Sequence, residues 1–364
     1  MLILEYHSIS PFFALVFAIC NSGLNTFAEL LGNSSQRTER VRKKTGTKSN
    51  DATITATIVA RGSKLKLDTS CWNSEFSVET CCVPSFLASL RIGCWTAQAN
   101  SAPSDLELLR SVQDHRKCCG SFLLLRDSVD VHDQRIREVV LRHVLSLPAC
   151  PNTGMLWGRI AVDLGLFRTV EVGVLAGDWS VQFMKVVASA PRLRLLQKAS
   201  VVQHTLVDLW IDQEPEANYH DQVSTFDMSS EFKIAFSRLI PFGPHVRFVQ
   251  QESHVAARLF DDRSLDFVFL DARHDECAVE RDLEAWWPKL RQGGLLAGDD
   301  YFDAEGAKIE ASQHFDWSIC ESGEVRPGSV RGAVDKFAQR SGLLVHVLRI
   351  FGSKQWLILK PLSG

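Results

Sequence analysis

Residues Leu265 to Tyr301, LDFVFLDARHDECAVERDLEAWWPKLRQGGLLAGDDY, constrain the fold of this chain more than any other stretch. Two apolar runs, Leu265 to Leu270 and Gly294 to Gly298, are each too short for a helix. Each ends in acid: Asp271 after the first, Asp299 and Asp300 after the second. Between them Val279, Leu283, Trp286, Trp287 and Leu290 recur at the spacing of one helical face. A strand, a helix and a strand in that order make a right-handed parallel crossover. The crossover carries the carboxyl ends of both strands, and with them all three aspartates, to one edge of a sheet. Open α/β sheets bind their ligands at that edge.

The rest of the chain extends the alternation. Ile136, Val139, Val140, His143, Val144 and Leu147 form a helical stripe that stops before Pro148, with His143 a packed or boundary residue of a lead-in helix and not a ligand. After the loop ACPNTG, Arg168 to Val174 reads as a strand, Val201 to Leu209 as a second and Val246 to Gln250 as a third. The two acid-tipped runs are the fourth and fifth, and Leu344 to Ile350 and Gln355 to Lys360 complete the set. Helices are predicted over about Ser180 to Ala188, Ser230 to Leu239, Ser253 to Phe260 and Val330 to Arg340. The last two strands are joined by FGSK alone and must therefore be antiparallel. The expected class is α/β: a doubly wound, mostly parallel seven-stranded sheet with a C-terminal antiparallel hairpin strand, occupying residues 131–364.

Residues 1–130 differ in character. They are polar and Ser/Thr-rich with short apolar islands and no sustained period, which predicts an extension that is largely disordered or a small appended module. Pro11 to Ile19 is an apolar run too short to span a bilayer. As the core of a targeting segment within residues 1–23 it lacks a preceding Lys or Arg. Of the 10 cysteines only Cys277 and Cys320 follow residue 151, and no pair is spaced C-x-x-C, so zinc is not suggested. The cysteine-poor remainder reads as a cytoplasmic enzyme with reduced thiols. A formal net charge of -3 gives no reason to expect nucleic acid or an anionic membrane as partner, and the basic run Arg37 to Lys48 reads as a solvated segment.

The turn after the first sheet strand, Glu171-Val-Gly173-Val-Leu-Ala-Gly177-Asp-Trp-Ser180, has glycines where a backbone must turn tightly from strand to helix. It lacks the G-x-G-x-x-G spacing of dinucleotide folds, which disfavours an NAD-linked oxidoreductase. An acid before the first glycine suits a cationic ligand better than a phosphate.

Several segments follow in a fixed order: E-V-G-V-x-x-G-x-x-S, L-V-D-L-W, L-D-F-V-F-L-D-A-R-H-D, D-L-E-A-W-W-P-K-L-R-Q-G-G-L-L-A-G-D-D-Y and V-R-G-A-V-D-K-F-A. In this order the chain resembles the class I S-adenosylmethionine-dependent methyltransferases, over roughly residues 132 to 361. It is most similar to their small-molecule O-methyltransferase-like branch with a D-A-R-H-D segment. The resemblance implies a Rossmann-like fold. It also implies that Glu171, Gly173 and Gly177 line the methionine end of S-adenosylmethionine, with Ser180 opening the helix beneath. Asp208 would accept hydrogen bonds from the ribose hydroxyls, although the interval from Glu171 is longer than one crossover usually takes. Gln251, Glu252 and Ser253, which follow the third strand, would lie near the adenine, a choice the sequence leaves open, with Ser253 named as the cofactor-binding residue.

Metal-dependent members of the family hold Mg²⁺ at acids in these places, which implies Asp271, Asp299 and Asp300 as ligands. Many relatives read G-H-D-Y where this chain has Gly298-Asp299-Asp300-Tyr301, so Asp299 is the departure and Asp300 the better match. His274 stands where catechol-type members often place a lysine base. Its imidazole, with an ordinary pKa of about 6.5, could take a hydroxyl proton beside Asp271. The bland role for His274 is a helix-entry residue bonded to Asp271 or Asp275. The expected activity is Mg-assisted methyl transfer to a hydroxyl of a small molecule. The alternative is a non-catalytic protein that keeps the fold as a partner or scaffold. Acceptor identity and oligomeric state are not legible.

Overall fold

A computed structural model describes residues 122–124, 131–145, 153–190, 202–212, 226–310, 316–350 and 353–362. The targeting segment, the basic run and the cysteines before residue 151 lie outside the described residues.

Five strands run parallel: β2 (Arg168–Val172), β3 (Gln203–Asp208), β4 (Val246–Gln250), β5 (Leu265–Leu270) and β6 (Leu290–Gly298). Their spatial order is β4-β3-β2-β5-β6, so the chain winds outward from β2 to β4, returns beside β2 as β5 and winds outward again. β8 (Ser353–Leu359) lies antiparallel beside β6, and β7 (His346–Ile350) antiparallel beside β8, forming the expected hairpin. All seven expected strands are present. An eighth, β1 (Phe122–Leu124), pairs antiparallel with β7 at the sheet edge, so the segment ahead of residue 131 contributes a strand.

The helices are α1 (Val131–Leu145), α2 (Thr153–Leu164), α3 (Asp178–Ser189), α4 (Met228–Leu239), α5 (Ser253–Ala256), α6 (Glu276–Trp286), α7 (Ala304–Glu310) and α8 (Ser329–Ser341). They form two layers, because β5 is buried along its whole length and presents alternate residues to opposite faces. Phe267 and Phe269 join a core with Trp157, Ile160, Phe183 and Leu206 under α1 to α4. Val268 and Leu270 join a second with Val279, Leu283, Trp286 and Phe337 under α6 and α8. The sheet is doubly wound.

Three local differences from the sequence reading have physical causes. Helix α2 was not expected, because Gly154 and Gly158 interrupt its apolar period. A Cβ on Gly158 would lie 2.9 Å from Phe183 O and from Val186 Cβ, so this glycine is there to let α2 and α3 pack closely. Helix α7 was also unexpected. The stripe ending in Trp287 and Leu290 does not belong to one helix: α6 stops at Trp286, a 3-10 turn holds Pro288, and Leu290 opens β6 while remaining buried.

The first turn of α6 is tied down from two sides. Asp275 caps it by accepting from Ala278 N at 3.1 Å, a contact that contributes about 1 kcal/mol in comparable helices. Glu276 is buried against α8, where Lys336 donates to it and Gly328 leaves the space its carboxylate fills. Cys277 is joined to Cys320 in a disulfide, since the chain after α7 folds back over the start of α6. That overturns the expectation of reduced thiols in this part of the chain. Among the described residues no helix is long and apolar enough to cross a membrane.

Candidate active site

The strand order reverses between β2 and β5, and the crevice beyond the carboxyl ends of strands at such a switch point is where open α/β sheets bind ligands. The two strand ends are laced together there. Asp271 N donates to Val172 O at 2.8 Å across that junction, while Gly173 N donates to Val207 O of the neighbouring β3 at 2.9 Å. Gly173 has φ +83°, and a Cβ on it would fall 1.9 Å from the carbonyl oxygen of Asp271. A side chain at 173 is therefore excluded by both conformation and space. Gly177, at φ +76°, turns the chain into α3.

The turn between these glycines is braced by Asp208 at the tip of β3. One oxygen of Asp208 accepts from Val174 N (2.8 Å) and Leu175 N (3.0 Å), the other from Trp210 N (2.9 Å). Trp210 Nε1 returns a bond to Leu175 O at 2.9 Å. A carboxylate has about four acceptor positions, so Asp208 retains capacity for one further donor.

Beneath the turn lies a buried polar relay that the sequence reading missed. Ser180 Oγ donates to Glu171 and lies 2.6 Å from His204 Nε2, while His204 Nδ1 lies 2.7 Å from Thr169 Oγ1. With the serine proton directed at Glu171, Nε2 carries the ring proton and Nδ1 accepts from Thr169. Burial pushes the Glu171 carboxyl well above its usual range, with the charges of Asp271, Asp208 and Asp178 adding to the rise and the Ser180 bond opposing it. Burial pulls the His204 imidazole down to about 3. Burial thus disfavours charge on both Glu171 and His204, and with Ser180 wholly enclosed the relay is no exposed nucleophile and base. Glu171 and Ser180, expected to line and underlie the cofactor, turn inward and shape the turn from below.

On the other side of the crevice the sequence DARHD brings an imidazole to the acids. His274 Nε2 lies 3.2 Å from Asp300 Oδ2 and 3.7 Å from Asp271 Oδ1. One ligand atom from each of Asp271, His274 and Asp300 falls within 4.8 Å of the others. His274 is only 6% exposed, and its ring lies flat on Trp317 at 4.2 Å between centroids, a contact of a kind that contributes about 0.5–1.5 kcal/mol beyond area burial. Trp317 is far along the chain from this segment and gave no sequence signal.

Asp299, expected to be a metal ligand, is not part of this cluster. Ser353 Oγ donates to Asp299 Oδ1 at 2.6 Å, as does Asp300 N at 2.8 Å, and Gln355 Nε2 donates to Oδ2 at 3.2 Å. Gln355 is itself held by Trp157 Nε1 at 2.8 Å. These donors on β8 draw the Asp299 carboxyl toward the hairpin and away from His274. Enclosure of that carboxyl, followed by the charges of Asp300 and Asp271, pushes its pKa up to about 7.

Ser253 is also redirected. Its hydroxyl accepts from Trp286 Nε1 at 2.9 Å and bonds Asp282 on α6, which leaves Gln251 and Glu252 as the exposed residues after β4. Burial pushes Asp282 up to about 7. A carboxyl whose pKa is raised on folding is protonated in the native state while still ionised in the unfolded chain. Stability is therefore fullest below the unfolded pKa and declines as pH rises toward 7. Asp282→Asn is expected to match the parent near pH 4 and to exceed it by about 4 kcal/mol at pH 8, measured by urea denaturation at the two pH values. An equal difference at both would show that Asp282 is ionised in the fold.

The family model described as a methyltransferase domain matches residues 170–301, a segment that begins in β2, ends at Tyr301 and contains the glycine turn, Asp208, His274 and Asp300. Among solved structures, the chain is similar to a putative caffeoyl-CoA O-methyltransferase from Staphylococcus aureus, with 15% identity over 63% of this chain and 92% of that one and a TM-score of 0.38. It is similar at 16% identity to an O-methyltransferase from Bacillus cereus in complex with SAH, over 62% of this chain and 91% of that one, with a TM-score of 0.38. TomG, an O-methyltransferase from Streptomyces achromogenes involved in tomaymycin synthesis and seen with SAM, is 16% identical over 64% of this chain and 91% of that one, with a TM-score of 0.39. No curated protein matches the chain in sequence.

Proposed function

We propose that the chain transfers the methyl group of S-adenosylmethionine to a hydroxyl of a small molecule. One observation carries this reading: at the switch point the turn at Gly173 packs against the strand end that bears Asp271, and beside that strand end an imidazole, His274, is set between Asp271 and Asp300. The match of residues 170–301 to a methyltransferase domain supports it.

S-adenosylmethionine, when bound, supplies an electrophilic methyl on a sulfonium centre. The chain supplies position and a proton acceptor. The backbone from Gly173 to Gly177 gives a ligand close approach, and Asp208 keeps that backbone in place. Burial disfavours charge on Glu171 under the turn, and Asp271 and Asp300 are the carboxylates beside His274. The acceptor hydroxyl loses its proton to the His274–Asp300 pair, which shares one proton between Nε2 and Oδ2 at rest, as its oxygen takes the methyl, and Asp271 beside the pair stabilises the added positive charge. Net products are the methyl ether, S-adenosylhomocysteine and one proton.

The same three side chains support a second reading. Asp271, His274 and Asp300 fit a divalent cation, the two carboxylates suiting Mg²⁺ and the imidazole a first-row transition metal. Such an ion supplies Lewis acidity to the hydroxyl. Nε2 cannot be ligand and base at once, so the two readings separate. The acceptor is taken to be small because nothing in the charge balance favours a nucleic acid, and residues 131–364 are taken as the catalytic unit.

The test is calorimetric titration of the full chain with S-adenosylhomocysteine, followed by assay of S-adenosylhomocysteine formation over a panel of hydroxylated acceptors with and without EDTA. Saturable binding is expected, and its absence would remove the methyltransferase reading and favour a scaffold. Turnover unchanged in EDTA would remove the metal and leave His274 as base. Turnover abolished by EDTA and mimicked by Asp300→Ala would establish the metal.

A further inference from the structure

We infer that Trp317 is a positioning residue for His274 and that the Cys277–Cys320 disulfide holds it in place, so that the geometry of the candidate site depends on the redox state of this pair. The functional importance of that geometry rests on the methyl-transfer reading, but the structural coupling does not. Trp317 and Cys320 lie outside the segment that matches a methyltransferase domain, on the return between α7 and α8.

The geometry closes a short circuit. The Trp317 indole covers the His274 ring at 4.2 Å with 15° between planes. Three residues after His274, in the first turn of α6, stands Cys277, and three residues after Trp317 stands Cys320, bonded to it. The ring contact and the disulfide are therefore parallel rungs between the same two segments. The segment bearing Trp317 has its own internal structure: Cys320 N donates to Glu324 O at 2.8 Å, Gly323 N to Cys320 O at 2.8 Å, and Ile319 bridges Val325. It forms a small hairpin.

Other ties to α6 are weaker. Arg281–Glu321 and Arg326–Glu280 join the hairpin to α6 through partly exposed ion pairs, a class of contact that contributes little in water. Ser329 Oγ donates to Trp317 O at 3.0 Å, tying the hairpin to α8 and not to the segment that carries His274. The disulfide is the strong link between hairpin and α6. Cys320 is 1% exposed, whereas Cys277 is half-buried and is the more exposed residue of the pair.

A dithiol reductant attacks the disulfide as a thiolate, forms a mixed disulfide and then closes its own disulfide. Two electrons and two protons pass to Cys277 and Cys320, which become thiols. The rest of α6 stays anchored by the Asp275 cap and by Glu276 with Lys336, so the change is confined to the hairpin and the ring beneath it. Trp317 then leaves the imidazole, and His274 loses the wall that orients Nε2 toward Asp271 and Asp300.

The experiment needs neither cofactor nor acceptor, so its outcome is independent of whether S-adenosylhomocysteine binds. Full-length protein is labelled at histidine, and the His274 ring resonances are assigned by their loss in His274→Gln. The redox state of Cys277 and Cys320 is read by differential alkylation and peptide mass mapping, which keeps the other cysteines apart. In the oxidised protein the His274 ring protons are expected upfield of a free histidine, shifted by the indole ring current. Reduction should move them downfield while far-UV ellipticity is retained. The double variant Cys277→Ser with Cys320→Ser should show the downfield position and no response to reductant. Trp317→Phe should keep an upfield shift, and Trp317→Leu should lose it. Resonances at one position before and after both cysteines become alkylatable would overturn the coupling. Global loss of ellipticity on reduction would overturn its local character, and finding both cysteines free in protein that already shows the upfield shift would remove the disulfide from the device.

Discussion

Gly173→Ala is expected to destabilise the chain by about 3 kcal/mol or more, which for a domain of this size is a fall of roughly 6–12 °C in melting temperature, and to abolish binding of S-adenosylhomocysteine. Two effects add. An alanine at φ +83° occupies the left-handed region, and its Cβ would lie 1.9 Å from the Asp271 carbonyl oxygen, where only backbone could give way. Relief requires β2 and β5 to part at their carboxyl ends, which breaks the bond from Asp271 N to Val172 O and opens the crevice itself. Gly177→Ala provides the control. It too has positive φ (+76°), but its Cβ would meet Leu239 Cδ1 at 2.8 Å, the far end of a flexible side chain that can rotate away. A loss of about 1 kcal/mol is expected there, with ligand binding weakened and not lost. Thermal melts and titration calorimetry on both variants check the pair. If Gly173→Ala melts within about 2 °C of the parent, the close approach of the two strand ends is not what holds the site together.

How much of this was legible in the sequence depends on whether the determining contact is local. The strands were legible because a parallel strand covered on both faces needs a nearly continuous apolar run, and LDFVFL, interrupted only by Asp266, supplies one; Asp271, Asp208 and Asp300 were legible because they end such runs. Helix α2 was not, since Gly158 reflects the surface of α3. Asp299 and Asp300 are neighbours in sequence, yet Ser353 and Gln355 on β8 separate them by holding the first and leaving the second beside His274. His204 sits within an ordinary strand pattern, and its partners Thr169 and Ser180 become neighbours only when β2 and β3 pair under α3. Ser253 follows its strand as the resemblance implies, but Trp286 and Asp282 on α6 take its hydroxyl. Spacing along the chain thus read which acids reach the sheet edge. It did not read which of them would be occupied by other side chains.

That distinction sets the second large effect. His274→Ala is expected to lower S-adenosylhomocysteine formation by about 10²- to 10⁴-fold while leaving the dissociation constant for S-adenosylhomocysteine within about twofold, since the general base acts on the acceptor and not on the glycine turn. Asp299→Asn is expected to leave turnover within about threefold, because an amide keeps a bond from Ser353 and the group lies outside the Asp271, His274 and Asp300 cluster. The order of the two variants is the sharper prediction. Were the aspartate pair the working element, Asp299→Asn would be the damaging change and His274→Ala would cost only the stability of a stacked ring. Measured single-turnover rates with calorimetry on the same preparations decide it. A His274→Ala protein that turns over within about tenfold of the parent would move the proton acceptor elsewhere, and the nearest remaining carboxylates facing that crevice are Asp271 and Asp300.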